Sequence, residues 1–527
     1  MKTNDELSEN NNVWKSPALE ELKKRRIAVA NGGGENKILK QHSAGKLTAR
    51  ERINILFDKG TFFEMNDMIA SRTVDFGMDK KAAPGDGVVT GYGKINGRTV
   101  FAAAQDFTVI GGTLGEYHWH KIIKAMTKAM DMRVPFIHIN DSGGARIEEG
   151  LDGLSGYSTI FLQNTLASGV IPQIAVMLGP CAGGACYSPA ICDFIFMTEK
   201  NSQMYVTGPA VIKTVTGEVI SAEDLGGTRV HMEKSGVAHF AYDTEENCLM
   251  GVRKLLSYLP QNNREKPPVA EKSIAVDRSA DLQSIVPEDK SQPYDVKEVI
   301  YALVDLDSFF EVQKDFAQNI VIGFARLDGR TIGIVANQPS VMAGALDYNA
   351  ADKSARFIRF CDCFNIPILT LVDVPAFLPG SDQEYHGIIR HGAKMLYAYA
   401  EATVPKISLI MRKDYGGAYL AMNSKNIGAD IVYAWPIADM AVMGSEGAVN
   451  IVFRKAIEAA EDKEAAKAEF IKEYEDKFLN PWLAAARGHV DQVILPEETR
   501  GKIAAAFEML QTKKKMLPEK KHGNIPL

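Results

Sequence analysis

The residues best placed to do chemistry in this sequence are two Gly-Gly pairs. Gly183-Gly184 and Gly416-Gly417 each follow an apolar run and precede a segment with helical periodicity. Glycines at a helix start expose backbone N–H groups and let a ligand approach the chain closely. Such N–H groups bind phosphate, or the oxyanion that develops on a carbonyl during acyl chemistry. A single pair is as easily explained by tight packing, but two pairs at matching points favour function.

Other catalytic patterns are absent or weaker. The sequence has neither a G-x-x-x-x-G-K-[ST] phosphate loop nor a G-x-G-x-x-G turn after a strand. A nucleophile elbow with Cys in place of Ser occurs around Cys181, and with His386 or His391 as base it would indicate a hydrolase. That alternative is weaker because both histidines fall in a helical stretch with nothing to bring them to the thiol. His118 and His120 project to different sides of a helix and make a poor metal pair.

Composition narrows the function classes further. The 527 residues carry 60 Lys+Arg against 66 Asp+Glu, a net charge of -6, so no basic nucleic-acid surface is expected. Six cysteines without zinc-ribbon spacing predict buried reduced thiols, with a metal site as the weaker alternative. Neither an apolar leader nor an uncharged apolar stretch of about 18 residues occurs, which predicts a cytoplasmic protein.

The elements that must position the two pairs follow an α/β pattern, in which short β-branched runs alternate with helix-period segments. Residues 1–60 are predicted to form a helical extension outside the main core. Within it, Thr48 and Glu51 fit a capping box that opens a short helix.

An internal repeat organises the rest of the chain. The hairpin-like string Ile95-Asn96-Gly97-Arg98 recurs as Leu327-Asp328-Gly329-Arg330. The strand start at 134–141 recurs at 366–373 with the same spacing, and the two glycine pairs keep that spacing to within one position. The sequence therefore predicts two copies of one domain, at residues 61–260 and 296–527, joined by a polar linker at 261–295.

Two charged segments lie in the second copy. Residues 455–477 are rich in Ala, Glu and Lys and predict an exposed helix, with docking of a partner as the alternative. The basic tail at Lys513-Lys514-Lys515 and Lys520-Lys521 is expected to be solvated, with contact to a polyanion as the alternative.

Paired oxyanion holes without an acid, base or nucleophile of the protein suit a particular reaction. In carboxyl transfer from N-carboxybiotin, the ureido oxygen of biotin and the thioester oxygen of an acyl-CoA both carry negative charge along the path. Biotin freed of its carboxyl can take the α-proton, so the protein supplies position and electrostatics.

The sequence resembles the carboxyltransferase subunits of biotin-dependent acyl-CoA carboxylases, decarboxylases and transcarboxylases over residues 20–527. The implied fold is α/β, a tandem duplication of a crotonase-like (ClpP/crotonase) β-β-α superhelix domain. The family assembles as a hexamer of paired rings, with the active site between the N-domain of one subunit and the C-domain of another. The motifs that carry the resemblance are Lys46-Leu47-Thr48-Ala49-Arg50-Glu51-Arg52, Asn140-Asp141-Ser142-Gly143-Gly144-Ala145-Arg146, Cys181-Ala182-Gly183-Gly184-Ala185, Arg390-His391-Gly392-Ala393-Lys394 and Lys521-His522-Gly523-Asn524-Ile525-Pro526-Leu527.

The resemblance also implies site residues. Gly183 and Gly184 would hold the thioester oxygen of the acyl-CoA, and Gly417 and Ala418 the oxygen of biotin. Leu420 would line the acyl pocket, where propionyl-preferring carboxylases typically have Asp. The sequence around it is more similar to methylmalonyl-CoA decarboxylase and transcarboxylase subunits, and a C3 acyl group is expected. Substrate contacts are assigned to Gly143, Gly144, Ala145, Arg146, Tyr187 and Leu420, with Arg146 expected to meet the phosphates of CoA.

The cofactor must arrive on another chain, because no Ala-Met-Lys-Met biotinylation motif occurs. The implied partners are an acyl-CoA, a biotin carboxyl carrier protein, and either a biotin carboxylase, a membrane decarboxylase subunit or a keto-acid carboxyltransferase subunit. A homohexamer is implied, while carboxylation, decarboxylation and transcarboxylation all remain open as the direction. A non-catalytic CoA-binding scaffold is the alternative from a different class.

Overall fold

The computed structural model describes residues 16–271 and 278–527 and has an α/β fold with two eight-stranded sheets. In the N-terminal half, the strands are β1 Phe63–Met65, β2 Val88–Ile95, β3 Arg98–Gln105, β4 Phe136–Ser142, β5 Gln173–Ala182, β6 Phe194–Thr198, β7 Gln203–Tyr205 and β8 Phe240–Tyr242. Its helices are α1 Pro17–Ala30, α2 Glu35–Ser43, α3 Ala49–Leu56, α4 Glu116–Met132, α5 Gly150–Ala167, α6 Tyr187–Ile191, α7 Pro209–Thr216, α8 Ala222–Gly226 and α9 Glu245–Tyr258.

The C-terminal half repeats this arrangement. Its strands are β9 Phe310–Val312, β10 Ile320–Leu327, β11 Arg330–Asn337, β12 Ile368–Val374, β13 Lys406–Tyr415, β14 Ile431–Ala434, β15 Asp439–Ala441 and β16 Gln492–Val493. Its helices are α10 Leu282–Ile285, α11 Val296–Leu303, α12 Tyr348–Cys363, α13 Ser381–Tyr385, α14 Ile388–Glu401, α15 Gly416–Ala421, α16 Ser445–Val452, α17 Arg454–Ala459, α18 Lys463–Phe478, α19 Pro481–Ala486 and α20 Thr499–Met509.

The strand orders of the two sheets confirm the duplication. The first sheet runs β1-β2-β3-β4-β5-β6-β8 with β7 beside β5, and the second runs β9-β10-β11-β12-β13-β14-β16 with β15 beside β13. Every strand of the first sheet thus has a counterpart in the second. In each sheet the first three strands are antiparallel and the remaining pairs are parallel.

The repeated hairpin shows how local sequence sets this topology. Asn96-Gly97 joins β2 to β3, and Asp328-Gly329 joins β10 to β11 at the same point of the second copy. All four residues have a positive φ, between 51° and 77°. Two-residue hairpins with such angles match the twist of the flanking strands, and Asn-Gly or Asp-Gly adopts them at low cost.

The two halves share one hydrophobic core. Phe240 of the first sheet stacks on Phe310 of the second at a ring-centroid distance of 4.8 Å, and Phe194 packs edge-on against Phe360 at 4.6 Å. All four rings are buried. Because apolar area buried between the sheets stabilises both of them, the halves form one packed body.

The structure differs from two of the predicted boundaries. Helix α3 lies in the main core, where Ala49, Ile53 and Leu56 are buried, so the N-terminal segment 1–60 is not all an external extension. The second part of the predicted linker also packs, because Leu282 and Tyr294 join the core of the C-terminal half. A capping box at Thr48 starts α3 as expected. The helix has too few apolar residues for the sequence to show that it lies in the core.

The prediction that the cysteines are buried thiols is confirmed in part. Five cysteines are buried thiols, whereas Cys363 is exposed. Within residues 16–271 and 278–527, no helix is both long and apolar enough to cross a bilayer.

Candidate active site

The two glycine pairs lie at equivalent points of the two sheets. β5 ends at Ala182 and a helical turn starts at Gly183, while β13 ends at Tyr415 and α15 starts at Gly416. Gly183 and Gly416 have φ values of 66° and 60°, which glycine adopts without strain. The first N–H groups of each turn have no intrahelical acceptor, so both turns present backbone donors at the carboxyl ends of their strands.

A neighbouring loop converges on the first pair. The loop follows β4, and a Cβ placed on its Gly144 would lie 3.5 Å from the carbonyl oxygen of Ala182. Ala145 pairs with Leu114 in an isolated parallel bridge, which fixes the loop over the turn. Tyr187 starts the short α6 soon after Gly183 and is half-exposed. The predicted residues Gly143, Gly144, Ala145, Gly183, Gly184 and Tyr187 therefore lie together at one end of the first sheet.

The prediction that Arg146 meets the phosphates of CoA is wrong. Its guanidinium is fully buried and pairs with Asp86 and Glu149, each at 2.8 Å. It also donates to the carbonyl oxygen of Thr113, at 3.0 Å. Each nitrogen of the guanidinium thus donates to a protein acceptor, and Arg146 fixes the loop beside the first turn instead of reaching a ligand.

A buried ion-pair network around Asp141 supports the first turn, and sequence reasoning missed it. Lys46 donates to one carboxylate oxygen at 2.6 Å, and Arg52 and Gln41 donate to the other at 2.9 and 3.0 Å. Arg52 also forms a two-bond pair with Glu245 at 2.7 Å. Burial alone would lower the pKa of Arg52, but hydrogen bonds to Glu245 and the charge of Asp141 outweigh it and raise that pKa.

This network reaches the turn through β5. Arg52 donates to the carbonyl oxygen of Leu178, in the middle of that strand, at 2.9 Å. A Cβ on Gly179 would lie only 2.0 Å from the Asp141 carboxylate, so a side chain at that position would displace the network. The acidic residue in the Asn-Asp-Ser motif was the available signal, because it recurs in the second copy as Asp373.

The second turn has its own support around Asp373. Arg412 donates to the Asp373 carboxylate at 2.8 Å and Tyr294 donates to it at 3.0 Å. Arg412 also donates to three backbone carbonyl oxygens between residues 287 and 292, at 2.9 to 3.2 Å. These bonds tie the segment before α11 to the strand that leads to Gly416-Gly417.

A buried carboxyl group lies just before Gly416. Asp414 is 2% exposed, and one of its carboxylate oxygens has no hydrogen-bond partner in the described chain. Burial, and then the charge of Asp373, raises its pKa well above the usual range. Asp414 stands where the first copy has Cys181.

A cavity of about 980 Å³ opens beside the second turn. Its floor is formed by Gly416 and Gly417, and Leu420 lies on its wall. Helices α16 and α18 cover one side, so the charged segment 455–477 is not only a solvated helix. The covering residues are Val452, Phe453, Glu473, Tyr474, Lys477 and Phe478.

The hydrolase alternative finds no support in the geometry. Cys181 is 1% exposed, and hydrogen bonding with the Cys186 side chain, together with burial, raises the pKa of its thiol well above the usual range. His391 bonds to Asp352 at 2.8 Å and His386 to the carbonyl oxygen of Asp382 at 2.7 Å. Neither imidazole contacts the thiol. In the described residues, no group of three or more His, Cys, Asp or Glu is arranged to hold a metal ion.

Comparisons with known proteins show the family of the chain. The family described as the carboxyl transferase domain matches residues 40–525. The carboxyltransferase subunit of propionyl-CoA carboxylase from Haloferax mediterranei is 57% identical, covering 97% of this chain and 99% of its own. The α subunit of methylmalonyl-CoA decarboxylase from Veillonella parvula is 56% identical, with the same coverage.

A solved structure extends the likeness to three dimensions. The transcarboxylase 12S structure, described as a hexamer assembly with methylmalonyl-coenzyme A and methylmalonic acid bound, has a TM-score of 0.95 and 54% identity. The match covers 98% of this chain and 100% of the other.

Proposed function

The chain belongs to the carboxyl transferase family and is an acyl-CoA carboxyltransferase subunit; from that premise we propose that it moves a carboxyl group between carboxybiotin and propionyl-CoA or methylmalonyl-CoA. The observation that carries the proposal is the pair of glycine turns at the same end of two duplicated sheets. Two negatively charged oxygens need stabilising in this reaction, and the fold offers two sets of backbone donors.

Each turn takes one of these oxygens in the proposal. The N–H groups of Gly183 and Gly184 hold the thioester oxygen and stabilise the enolate that forms on the acyl group. Those of Gly417 and Ala418 hold the ureido oxygen of biotin. Donors that are already in position do not have to reorganise during the reaction. Holding each turn in place with a buried ion pair therefore increases the stabilisation of the negatively charged oxygen.

The residues of the second site suit a bicyclic ligand. The cavity beside Gly417 is about 980 Å³ and is lined mainly by apolar side chains such as Val442 and Phe453, with few charges. Leu420 lies on the same wall, where it would meet the acyl group that approaches biotin. Biotin, carried on a separate protein, supplies the carboxyl group and a base for the α-proton. The chain itself binds, orients and excludes water, since no side chain of either turn is an acid or base at the reacting atoms.

Assembly is part of the proposal. Leu151 and Leu154 of α5 and Ile389 of α14 are large apolar side chains that are half or more exposed in the single chain. Exposed apolar stripes of this kind mark protein contacts. We place them in the interfaces of a homohexamer, in which the first turn of one subunit faces the second turn of another.

Partners complete the reaction. The proposal requires a biotin carboxyl carrier protein and one further subunit: a biotin carboxylase, a membrane decarboxylase subunit or a keto-acid carboxyltransferase subunit. The similarity to relatives from propionyl-CoA carboxylase and methylmalonyl-CoA decarboxylase supports the C3 acyl group.

A reconstituted transfer assay tests the function. Purified protein, a biotinylated carrier and methylmalonyl-CoA labelled in the free carboxyl group should yield labelled carrier, and free biotin should support a slower reaction. If no label reaches biotin with any short acyl-CoA, the catalytic proposal fails. Binding of the CoA ester without any transfer would support the scaffold alternative.

A further inference from the structure

A second cavity, of about 450 Å³, lies at the far end of the C-terminal sheet from the glycine turn. Arg330 begins β11, and Pro367 and Pro405 directly precede β12 and β13, so all three lie at the amino edge of these parallel strands. Because β13 is 10 residues long, this edge is about 30 Å from Gly416. The cavity is therefore separate from the proposed active site.

The lining of this cavity is strongly basic. Lys266, Arg330 and the three consecutive lysines of the tail, residues 513–515, line it together with only two acids, Asp328 and Glu508. Arg500 already engages Asp328 at 3.2 Å, and Lys513 is itself paired with Asp430 at 2.7 Å, which leaves Lys266, Arg330, Lys514 and Lys515 without an ion pair among the described residues. The chain as a whole carries a net charge of -6, so the excess of cations is a local feature. Such a patch attracts an anion.

The cations are crowded as well as numerous. Lys406 lies just behind the cavity and is buried. A Cβ on Gly428 would lie 3.3 Å from the ammonium of Lys406 and 3.7 Å from that of Lys515, which places these two charges side by side. Burial, and then the charges of Lys515 and Lys513, lowers the pKa of Lys406 to about 8. Asp430, which pairs with Lys513, offsets only part of this repulsion, and a bound anion would relieve the rest.

A buried polar group independently indicates a ligand. Thr331 lines the cavity and is 3% exposed, and its hydroxyl oxygen has no hydrogen-bond partner in the described chain. Buried hydroxyls are nearly always satisfied, because an unmade hydrogen bond is costly. The Arg330 guanidinium beside it also forms neither an ion pair nor a hydrogen bond within residues 16–271 and 278–527.

In the first half, the residues equivalent to Arg330 and Thr331 are covered by other parts of the chain. Arg98 is the counterpart of Arg330, and its guanidinium donates to the carbonyl oxygens of Leu256 and Leu259. Gln261 donates to the carbonyl oxygen of Thr99, the counterpart of Thr331, at 2.9 Å. There the chain itself closes the edge of the sheet, whereas in the second half the tail leaves an open, basic cavity.

Part of the remaining wall is apolar. Val269 and Phe507 contribute to it, so the cavity suits a ligand with an organic body as well as charge. Its volume of about 450 Å³ falls within the range of small-molecule sites, about 300–1,000 Å³. An inorganic anion would leave this apolar part uncovered.

We propose that this cavity binds a small phosphorylated organic anion of the nucleotide class. Its phosphates would be met by Arg330, Lys514 and Lys515, with Thr331 donating to a phosphate oxygen, and its organic body would cover Val269 and Phe507. Charge-assisted hydrogen bonds of this kind are among the stronger polar contacts in proteins. The site lies outside the carboxyl-transfer centre and does not depend on which acyl-CoA that centre uses.

Calorimetric titration of the assembled protein with ADP tests the proposal. Saturating propionyl-CoA is present, so that the acyl-CoA site is filled. ADP should bind, while adenosine and pyrophosphate, which each lack one part of the ligand, should bind at least about tenfold more weakly. If ADP does not bind at millimolar concentration, if adenosine binds equally well, or if propionyl-CoA displaces ADP, the proposal is overturned.

Matched variants locate the binding. The double change Lys514→Ala/Lys515→Ala removes two exposed ammoniums and should weaken ADP binding at least about tenfold. Lys521→Ala removes an exposed charge from the same tail outside the cavity and should leave the affinity unchanged. Thr331→Val should weaken ADP without lowering the unfolding temperature, because the hydroxyl has no partner to lose. Equal affinity of the wild type and the double variant would overturn the assignment.

Discussion

The two halves of this protein have the same strand order but hold their glycine turns with different buried groups. In the first half, Asp141 receives Lys46 and Arg52, and Glu245 completes a network of two acids and two bases. In the second half, the counterpart Asp373 receives a single cation. Arg412 supplies that charge, and three backbone carbonyl oxygens accept from its Nη1.

This difference indicates that the backbone of the glycine turns and the charged groups that hold it in place are determined by different parts of the sequence. Strand order, hairpin turns and the positive φ at the start of each glycine turn are duplicated, because each is set by a few local residues. The charged supports differ because their members come from distant elements, such as α3 and α9 in the first half. Two sites of the same backbone can thus serve two different ligands.

The largest effect should come from removing the duplicated carboxylates. Asp141→Ala leaves Lys46 without a partner and removes one of the two acids facing Arg52, so we expect a loss of about 3–5 kcal/mol in the free energy of unfolding. Asp373→Ala should cost less, because Arg412 keeps its three carbonyl acceptors. Urea denaturation followed by circular dichroism measures both.

Asp131→Ala is the matched control, since its ion pair with Lys128 is exposed and should contribute little. Equal losses for Asp141→Ala and Asp373→Ala would contradict the distinction between the two supports.

The next largest effect should come from proline substitutions in the two glycine turns, which should impair different steps of the reaction. Gly417→Pro removes a backbone donor from the second turn only, so carboxyl transfer should fall about 10²–10³-fold while binding of the CoA ester is retained. Gly184→Pro should instead impair handling of the acyl-CoA. Transfer rates and direct titration with propionyl-CoA measure the split, and thermal unfolding checks that both variants fold. Loss of CoA binding in Gly417→Pro would count against the assignment.

Each half has a buried lysine at an equivalent position, and the pH dependence of the stability should distinguish the two. Lys121 donates to the carbonyl oxygens of Gly85 and Val88, and Lys353, its counterpart in the second half, donates to those of Phe316 and Ile320. Burial lowers the pKa of Lys121 to about 8 and that of Lys353 to about 7.

In the unfolded chain, lysine pKa values are near 10.4, so the unfolded state binds more protons than the folded state between pH 7 and 10. The free energy of unfolding should therefore rise with pH across this window, by about 1.4 kcal/mol per pH unit for each fully titrating lysine. Lys353→Met should flatten the rise from pH 7 upward, and Lys121→Met only from about pH 8. Unfolding midpoints in urea across the pH series test this order. Identical pH profiles for both variants and the wild type would refute it.

The smallest effects should come from the equivalent residues Cys181 and Asp414. Cys181→Ala removes one buried sulfur and should cost about 1 kcal/mol of stability while leaving carboxyl transfer nearly unchanged. Asp414→Asn replaces a buried carboxyl, whose pKa is raised, by a neutral amide of the same shape, and we expect a similarly small change. Loss of activity in Cys181→Ala would instead revive the hydrolase alternative.

Much of the fold could be predicted from the sequence, because it depends on local signals. The Asn96-Gly97 and Asp328-Gly329 turns, the repeat spacing and the glycine pairs were sufficient to predict two α/β copies with glycine turns at equivalent ends. Arg146 was misassigned because an arginine beside a glycine loop gives no sign of whether solvent reaches it.

The supports were missed for a related reason. Arg52 and Asp141 are 89 residues apart in the chain, and neither periodicity nor composition joins them. The burial of α3 was missed too, since its apolar residues Ala49, Ile53 and Leu56 alternate with charged ones in the sequence.

The aromatic contact between the sheets has a consequence for synthesis on the ribosome. Phe194 and Phe240 are complete in the first half, but Phe310 and Phe360, against which they pack, are translated later. At about 5–20 residues per second, synthesis reaches Phe360 about 6–24 s after Phe240. For that interval the nascent first half presents an uncovered aromatic face, which makes it a natural client for chaperones that shield apolar surfaces during translation.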